Sequence, residues 1–315
     1  MAKKPKRVLV TGAAGFIGSH LCDALLAKGY AVTGVDNLLT GAADNLSAAC
    51  ESPLFGFQEA DVVEPLDYDV SVIYHLASPA SPVDYLEMPV GTMLANSLGT
   101  LNCLELARSL EARMVLASTS EVYGDPEVSP QGEGYFGHVN PTGPRSCYDE
   151  SKRFAEALCM AYRREHDSEV VIVRIFNTYG RRMRPDDGRV IPNFVSQALA
   201  GAPLTVYGDG GQTRSFCHVD DMVKGLLLAM ETPEAAGEII NIGNPNEMRV
   251  IDLAALVKQR TGSDSPLEFE PLPQDDPRQR RPDITRAMSL LGWAPRVGIE
   301  EGLDDVIEYV RGLSP

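Results

Sequence analysis

Residues 7–20 read RVLVTGAAGFIGSH: an apolar run, then Gly12, Gly15 and Gly18 at intervals of three, then a stretch of helical spacing that continues to Lys28. Each glycine has a physical role in a strand–turn–helix order. Gly12 and Gly15 let the backbone turn tightly and approach a diphosphate, which rests on the positive N-terminus of the following helix, and Gly18 lets helix and strand pack closely. Phe16 and Ile17 open the helix beside that ligand. The next run, AVTGVD, ends at Asp36, eighteen residues after Gly18, where an acidic side chain binds adenosine ribose hydroxyls. Asp36 would repel a 2′-phosphate, and Asn37, Leu38 and Leu39 supply no cation for one. The pattern therefore predicts NAD in preference to NADP.

Outward from this stretch, short Val/Ile-rich runs recur at 31–36, 70–75, 113–118 and 170–175, separated by helical stretches such as 92–110 and 148–166. Strands alternating with helices predict an α/β fold, a Rossmann-like doubly wound parallel sheet covered on both faces. Asp61 and Val62 follow the third apolar segment and suit the adenine edge; Leu76 and Ala77 close the fourth strand beside the diphosphate. Core and turn roles fit these four equally well. After residue 177 turn signals dominate (GRRMRPDDG, YGDGGQTRS, NIGNPNE and a Pro-rich stretch from 266 to 283), with helical spacing at 191–200 and 249–261. That change predicts a smaller C-terminal substrate-binding subdomain over the carboxyl edge of the sheet. Residues 1–177 are expected to form the NAD-binding domain, with some later segments returning to it, and 178–315 mainly the substrate-binding part.

Composition limits the function. The chain has 315 residues, 44% hydrophobic and 23% charged, enough for a sizeable core and unlike a disordered, fibrous or disulfide-stapled protein. With 28 Lys and Arg against 44 Asp and Glu, the net charge is −16, so nucleic-acid binding has no electrostatic footprint. An anionic ligand must instead meet a local arginine cluster. The six cysteines, Cys22, Cys50, Cys103, Cys147, Cys159 and Cys217, form no CxxC pair and read as reduced thiols with no metal site. The basic start MAKKPKRVLV runs directly into a strand without the apolar core of a leader peptide, and no apolar run approaches the ~18 residues that span a bilayer. A soluble, cytoplasmic protein with no membrane partner is expected.

Tyr148 and Lys152 stand at i and i+4 and share one helix face. A tyrosine of ordinary pKa, about 10, is a poor base at neutral pH, but a nearby ammonium and a positive nicotinamide ring stabilise its phenolate. Thr119, Ser120 and Glu121 lie just after the 113–118 strand, at the sheet edge where that tyrosine should point.

With the glycine pattern, these residues make the chain resemble the extended short-chain dehydrogenase/reductase superfamily, and within it the UDP-glucuronic acid decarboxylase family. The closer match is carried by DNLLTGAADN, HLASPASPVDYLEMP, STSEVYGDP, HVNPTGPRSCYDESKR, RIFNTYGRRMRPDDGRV, VYGDGGQTRSF and QDDPRQRRPD, which run from near the start to beyond residue 280. The resemblance implies Tyr148 as base for the sugar O4 hydroxyl and Lys152 as its electrostatic partner and ribose ligand. It implies that Thr119 and Ser120 hold O4, and that Glu121 serves decarboxylation and proton handling. Tyr85 then lies near the substrate carboxylate, Arg280 faces the carboxylate or diphosphate, Arg214 the nucleotide phosphates, and Asn177 and Tyr207 the nucleotide. Plainer readings exist: Arg278, Arg280 and Arg281 as a solvated basic loop, Arg214 as a surface strand residue, and Glu121 as a cap. His138 and His218 read as structural, and Cys147 as packing.

The activity implied is NAD-dependent conversion of UDP-glucuronate through a 4-keto intermediate to UDP-xylose, UDP-4-keto-xylose or both, with release of carbon dioxide. A UDP-glucuronate 4-epimerase, a 4,6-dehydratase and a non-catalytic NAD-binding protein are the alternatives. Arg181 and Arg182 replace the proline that often follows NTYG in the family, and QGEGYFGH at 131–138 also departs from its pattern. Superfamily members commonly dimerise through a four-helix bundle, for which 92–110 and 148–166 are the candidate segments, so a homodimer is expected.

Overall fold

The computed structural model describes residues 6–275, 277 and 279–313. Arg7–Thr11 (β1), Ala31–Asp36 (β2), Phe55–Glu59 (β3), Val72–His75 (β4), Arg113–Thr119 (β5) and Val170–Ile175 (β6) join the later strand Ile239–Ile242 in one seven-stranded sheet. Its order is 239–242, β6, β5, β4, β1, β2, β3, and every pairing is parallel. The order reverses between β1 and β4, so a crevice opens beyond Thr11 and His75, where open α/β sheets bind ligands.

Neighbouring residues on a strand face opposite sides, and here both sides are apolar. Val8, Val10, Tyr74, Val115 and Val171 pack with helices Phe16–Ala27 and Val219–Glu231. Leu9, Ile73, Met114, Leu116 and Ile172 pack with helices Thr100–Leu110 and Ser146–His166. Burial on both faces explains why these strands read as unbroken apolar runs rather than alternating ones.

A second core brings Phe194, Leu204, Leu253 and Ile307 together from helices Val190–Leu199, Val250–Thr261 and Ile299–Leu313 and the strand Leu204–Tyr207. Helix Val219–Glu231, strand Ile239–Ile242 and Trp293 nevertheless pack into the first core. Pro89–Leu110 is helical throughout but widens to a π turn over Ala95–Gly99. There the Asn96 amide donates to Ser151 Oγ at 3.0 Å.

Candidate active site

At the end of β1, Gly12 has φ +72°, and a Cβ built on it would stand 2.7 Å from Ala77 N and 2.8 Å from Leu76 C. A Cβ on Gly18 would strike the Gly12 carbonyl. Helix Phe16–Ala27 starts after Gly15 with no side-chain cap, so its first N–H groups stay available to an anion. Asp36 fixes the turn: its carboxylate accepts from Ala14 N at 2.9 Å and Leu38 N at 2.8 Å. An uncapped helix start, a cradle closed to any side chain at Gly12 and an acid at the tip of β2 fit a dinucleotide.

The remaining residues expected at the cofactor divide. Gly15, Phe16, Ile17 and Leu76 line the cleft. Asn37 donates to Asp61 at 3.0 Å on the exposed rim of the cradle. Val62 is buried behind it, against the place where a Gly99 side chain would be, and its carbonyl accepts from Asn102. Ala77 is a neighbour of Gly12 through its backbone.

The cleft holds about 900 Å³ and runs from the glycine turn past Thr119, Tyr148 and Glu121 to Tyr207 and Arg214. Tyr148 and Lys152 sit in the first two turns of helix Ser146–His166, both buried. The Lys152 ammonium lies 5.9 Å from the centre of the tyrosine ring and donates to the Ala117 carbonyl at 2.9 Å. Burial pushes the Tyr148 phenol up to about 12, against the lowering effect of its hydrogen bond with Thr119. Burial also lowers the Lys152 ammonium to about 8, with Glu156, one turn further along the helix, opposing the shift. Tyr85 stacks on Tyr148 with ring centres 5.0 Å apart and planes 8° apart, and its buried hydroxyl has no protein partner.

Glu121 follows β5 on a short turn capped by the Thr119 hydroxyl, which accepts from Glu121 N at 3.2 Å. Arg280 forks onto its carboxylate at 2.8 and 3.2 Å and also donates to Ser120 Oγ at 2.9 Å and Gly124 O at 3.0 Å. Arg145 donates to the same carboxylate at 2.5 Å and lies over the Tyr85 ring. Burial alone would raise the Glu121 pKa; the two guanidiniums overcome it and hold the group below its ordinary range. Arg280 is 2% exposed, and its Nε is buried without a partner. Asp149 is also buried, with one carboxylate oxygen unpartnered, and burial followed by the Glu121 charge raises its pKa.

Sequence reasoning missed Arg145 and Asp149. A signal existed for Arg145: it occupies the N-cap of helix Ser146–His166, where the helix dipole disfavours a cation, so a specific anionic partner was implied. Asp149 gave no such signal, because an acid in the first turn reads as ordinary dipole compensation.

Strands Thr213–Ser215 and Gln279–Arg280 pair in parallel with Arg214 opposite Arg280, so two expected arginines stand side by side at the Tyr207 end of the cleft. Tyr207 is partly exposed there, and Asn177 enters the cleft just after β6. Arg281 turns away, donating to Pro245 O and pairing at long range with Glu247; Arg278 lies outside the described residues. Cys147 points at the Tyr85 carbonyl, and His218 meets Asp305 at 3.3 Å. No group of three His, Cys, Asp or Glu side chains fit to hold a metal occurs among the described residues.

The GRRMRPDDGR loop is bound to its surroundings by charge. Arg182 pairs with Asp23 at 2.7 Å, Arg181 with Asp305 at 3.1 Å, and Arg184 with Asp84 at 2.8 Å. Arg189 pairs with Asp187, whose carbonyl takes a hydrogen bond from Ser81. The loop thus closes one wall of the cleft between helix Phe16–Ala27 and helix Pro82–Glu87.

Comparison with known proteins agrees with this geometry. Residues 8–243 match the NAD dependent epimerase/dehydratase family. UDP-glucuronic acid decarboxylase 1 of Danio rerio is 52% identical over 307 residues, 98% of this chain and 73% of that protein. UDP-glucuronic acid decarboxylase 6 of Arabidopsis thaliana is 53% identical over 306 residues, 97% of this chain and 89% of that one. Among solved structures, the UDP-glucuronic acid 4-epimerase of Bacillus cereus in complex with UDP-glucuronic acid and NAD superposes with a TM-score of 0.89. It is 32% identical and covers 98% of this chain and 99% of its own. The chain belongs to the NAD-dependent epimerase/dehydratase family and stands within it among the UDP-glucuronic acid decarboxylases.

Proposed function

We propose that the protein decarboxylates UDP-glucuronate through a 4-keto intermediate to UDP-xylose, UDP-4-keto-xylose or both. The observation that carries this reading is Glu121, an ionised carboxylate gripped by Arg280 and Arg145, next in sequence to the Thr119–Ser120 pair and lining the same cleft as Tyr148. Bound NAD would supply a hydride acceptor for C4, the hydride going back to the sugar where UDP-xylose is the product and staying with the cofactor where UDP-4-keto-xylose leaves. Tyr148 removes the O4 proton while Lys152 and the Thr119 hydroxyl stabilise the phenolate, and Ser120 helps hold the sugar. With C4 a ketone, the C5 carboxylate becomes that of a β-keto acid. Its loss as carbon dioxide leaves an enolate on O4, stabilised by Tyr148 and Thr119 as donors. Glu121, ionised between Arg280 and Arg145, orients the water that delivers the C5 proton, Tyr85 and Arg280 lie on the carboxylate side of the sugar, and Arg214 meets the diphosphate. Gly12, Gly15, Gly18, Asp36 and the Asn37–Asp61 rim hold NAD.

Residues up to 177, with strand Ile239–Ile242, form the dinucleotide half in this reading, and most of the later chain forms the sugar-nucleotide half. A homodimer is supported by the exposed apolar row Val83, Leu86, Val90, Met93, Leu94 and Leu98, with Phe154 on the adjoining helix. A cytoplasmic setting is supported by six free cysteines, five of them buried; no helix of the described residues is long and apolar enough to cross a membrane. Incubation with UDP-glucuronate and NAD followed by mass spectrometry tests the activity. A product lighter by carbon dioxide, or by carbon dioxide and two hydrogens for the 4-keto sugar, is expected. Unchanged mass with inverted C4 stereochemistry would make the protein an epimerase instead.

A further inference from the structure

The loop that follows Glu121 returns to the active site from beneath. Its Gly124 carbonyl accepts from Arg280, and seven residues later the fully buried Gln131 grips the chain on which Arg280 is carried. Gln131 Oε1 accepts from Arg281 N at 2.8 Å, its own N–H donates to Arg281 O at 2.8 Å, and its carbonyl accepts from Asp283 N at 2.9 Å. Its Nε2 donates to Val128 O at 2.6 Å. On the other side, Ser215 Oγ donates to Arg280 O at 3.0 Å. The backbone around Arg280 is therefore clamped between strand Thr213–Ser215 and Gln131.

Gln131 is in turn fixed to the sheet. Asn241, on the Ile239–Ile242 strand, donates to Gln131 O at 2.9 Å and accepts from the Tyr123 hydroxyl at 2.8 Å. Arg174 of β6 donates to that hydroxyl and to both oxygens of Glu156, which also accepts from Ser118 Oγ, next to Thr119. One connected set of buried polar groups thus joins the Lys152 helix and the Thr119 strand to the Arg280 segment.

We infer that Gln131 is a positioning residue for carbon dioxide loss: it sets the height of Arg280 over Glu121, whose two-pronged contact tolerates little displacement. This rests on the decarboxylase reading above. It predicts an effect on the carboxylate step and not on oxidation at C4, which uses Tyr148, Lys152 and Thr119 while Arg280 bonds to Ser120, Glu121 and Gly124. The intact protein is assayed with UDP-glucuronate labelled at the carboxyl carbon and NAD, following both reduced-nicotinamide absorbance and labelled carbon dioxide.

Gln131→Met, of similar volume but without the amide, is expected to slow carbon dioxide release by roughly 10- to 100-fold while the initial absorbance rise stays within about 3-fold, so reduced cofactor accumulates. Gln131→Asn, with the amide one methylene short, should show the same separation more mildly, and decides the matter if the Met variant does not fold. The inference is overturned if release is unchanged in both the Met and Asn variants, or if both signals fall together. Arg280→Lys, run alongside, should separate the two signals as well. If it does not, the role given to Arg280 fails and Gln131 with it; if it does while Gln131→Met behaves as wild type, only Gln131 is displaced.

Discussion

Tyr148 illustrates how much of the chemistry depends on a single buried hydroxyl. Held up near 12 by burial, it can serve as the proposed base only where positive charge is concentrated beside it, from Lys152 and from a bound nicotinamide. Tyr148→Phe should keep NAD affinity but lose the reduced-nicotinamide signal and slow turnover by roughly 10²- to 10⁴-fold; normal turnover would remove Tyr148 from the mechanism. Glu121 allows a test by pH. Its folded pKa lies below the ordinary 4.5, so its stabilising effect is fully present above that value and is lost as pH falls through the folded one. Glu121→Gln leaves Arg145 and Arg280 facing an uncharged group, and should cost about 3 kcal/mol near neutral pH. The gap in Tm between wild type and variant should narrow on acidification below the ordinary carboxylate range. A gap that widened there would contradict the arrangement. At this scale the sequence pointed to Tyr148, Lys152 and Thr119 through spacing and place, while Arg280 was one of three arginines in RQRR and only burial separates it from Arg281.

Among elements, the glycine turn is the least tolerant. Gly12→Ala would place a methyl against Ala77 N and force an alanine into left-handed backbone. NAD binding, followed by calorimetry, should weaken by more than about tenfold at a stability loss of roughly 1–3 kcal/mol; unchanged affinity would show that the turn does not cradle the cofactor. The strands β1, β2 and β4–β6 were readable because double-sided burial writes continuous Val and Ile runs. Ile239–Ile242 was not, since four residues running straight into GNPNE look like a turn. Helices Val219–Glu231 and Ile299–Leu313 were also unread. The first, VDDMVKGLLLAME, carries a glycine that packs against Ile242, and that contact is invisible before the strand is placed. The π turn at Ala95–Gly99 has no sequence signature at all: it is set by Asn96 reaching Ser151 and by Gly99 giving room to Val62.

For the molecule as a whole, a net charge of −16 and an anionic substrate are reconciled by local pairing. Arg182, Arg184 and Arg189 along the cleft are each balanced by an aspartate and Arg280 by Glu121, so the proposed substrate's charge is met by arginines that are already held in place. The apolar row on the Pro82–Leu110 helices belongs to this scale too. Light scattering should give twice the 34.1 kDa chain mass, and Val90→Glu with Leu94→Glu should return the single-chain mass; a wild-type monomer would defeat the dimer.

The late arrival of Ile239–Ile242 beside β6 bears on how the protein can be made. Until some 240 residues have left the ribosome, β6 is the border of a sheet that already holds most of its strands, and its VVIVRI edge is unsatisfied and adhesive. A gene fragment stopped at Asn177, the point where the sequence changes character, would preserve that border permanently. Such a truncation should precipitate or recruit chaperones rather than yield a small NAD-binding protein, whereas a fragment carried through Gly243 closes the edge.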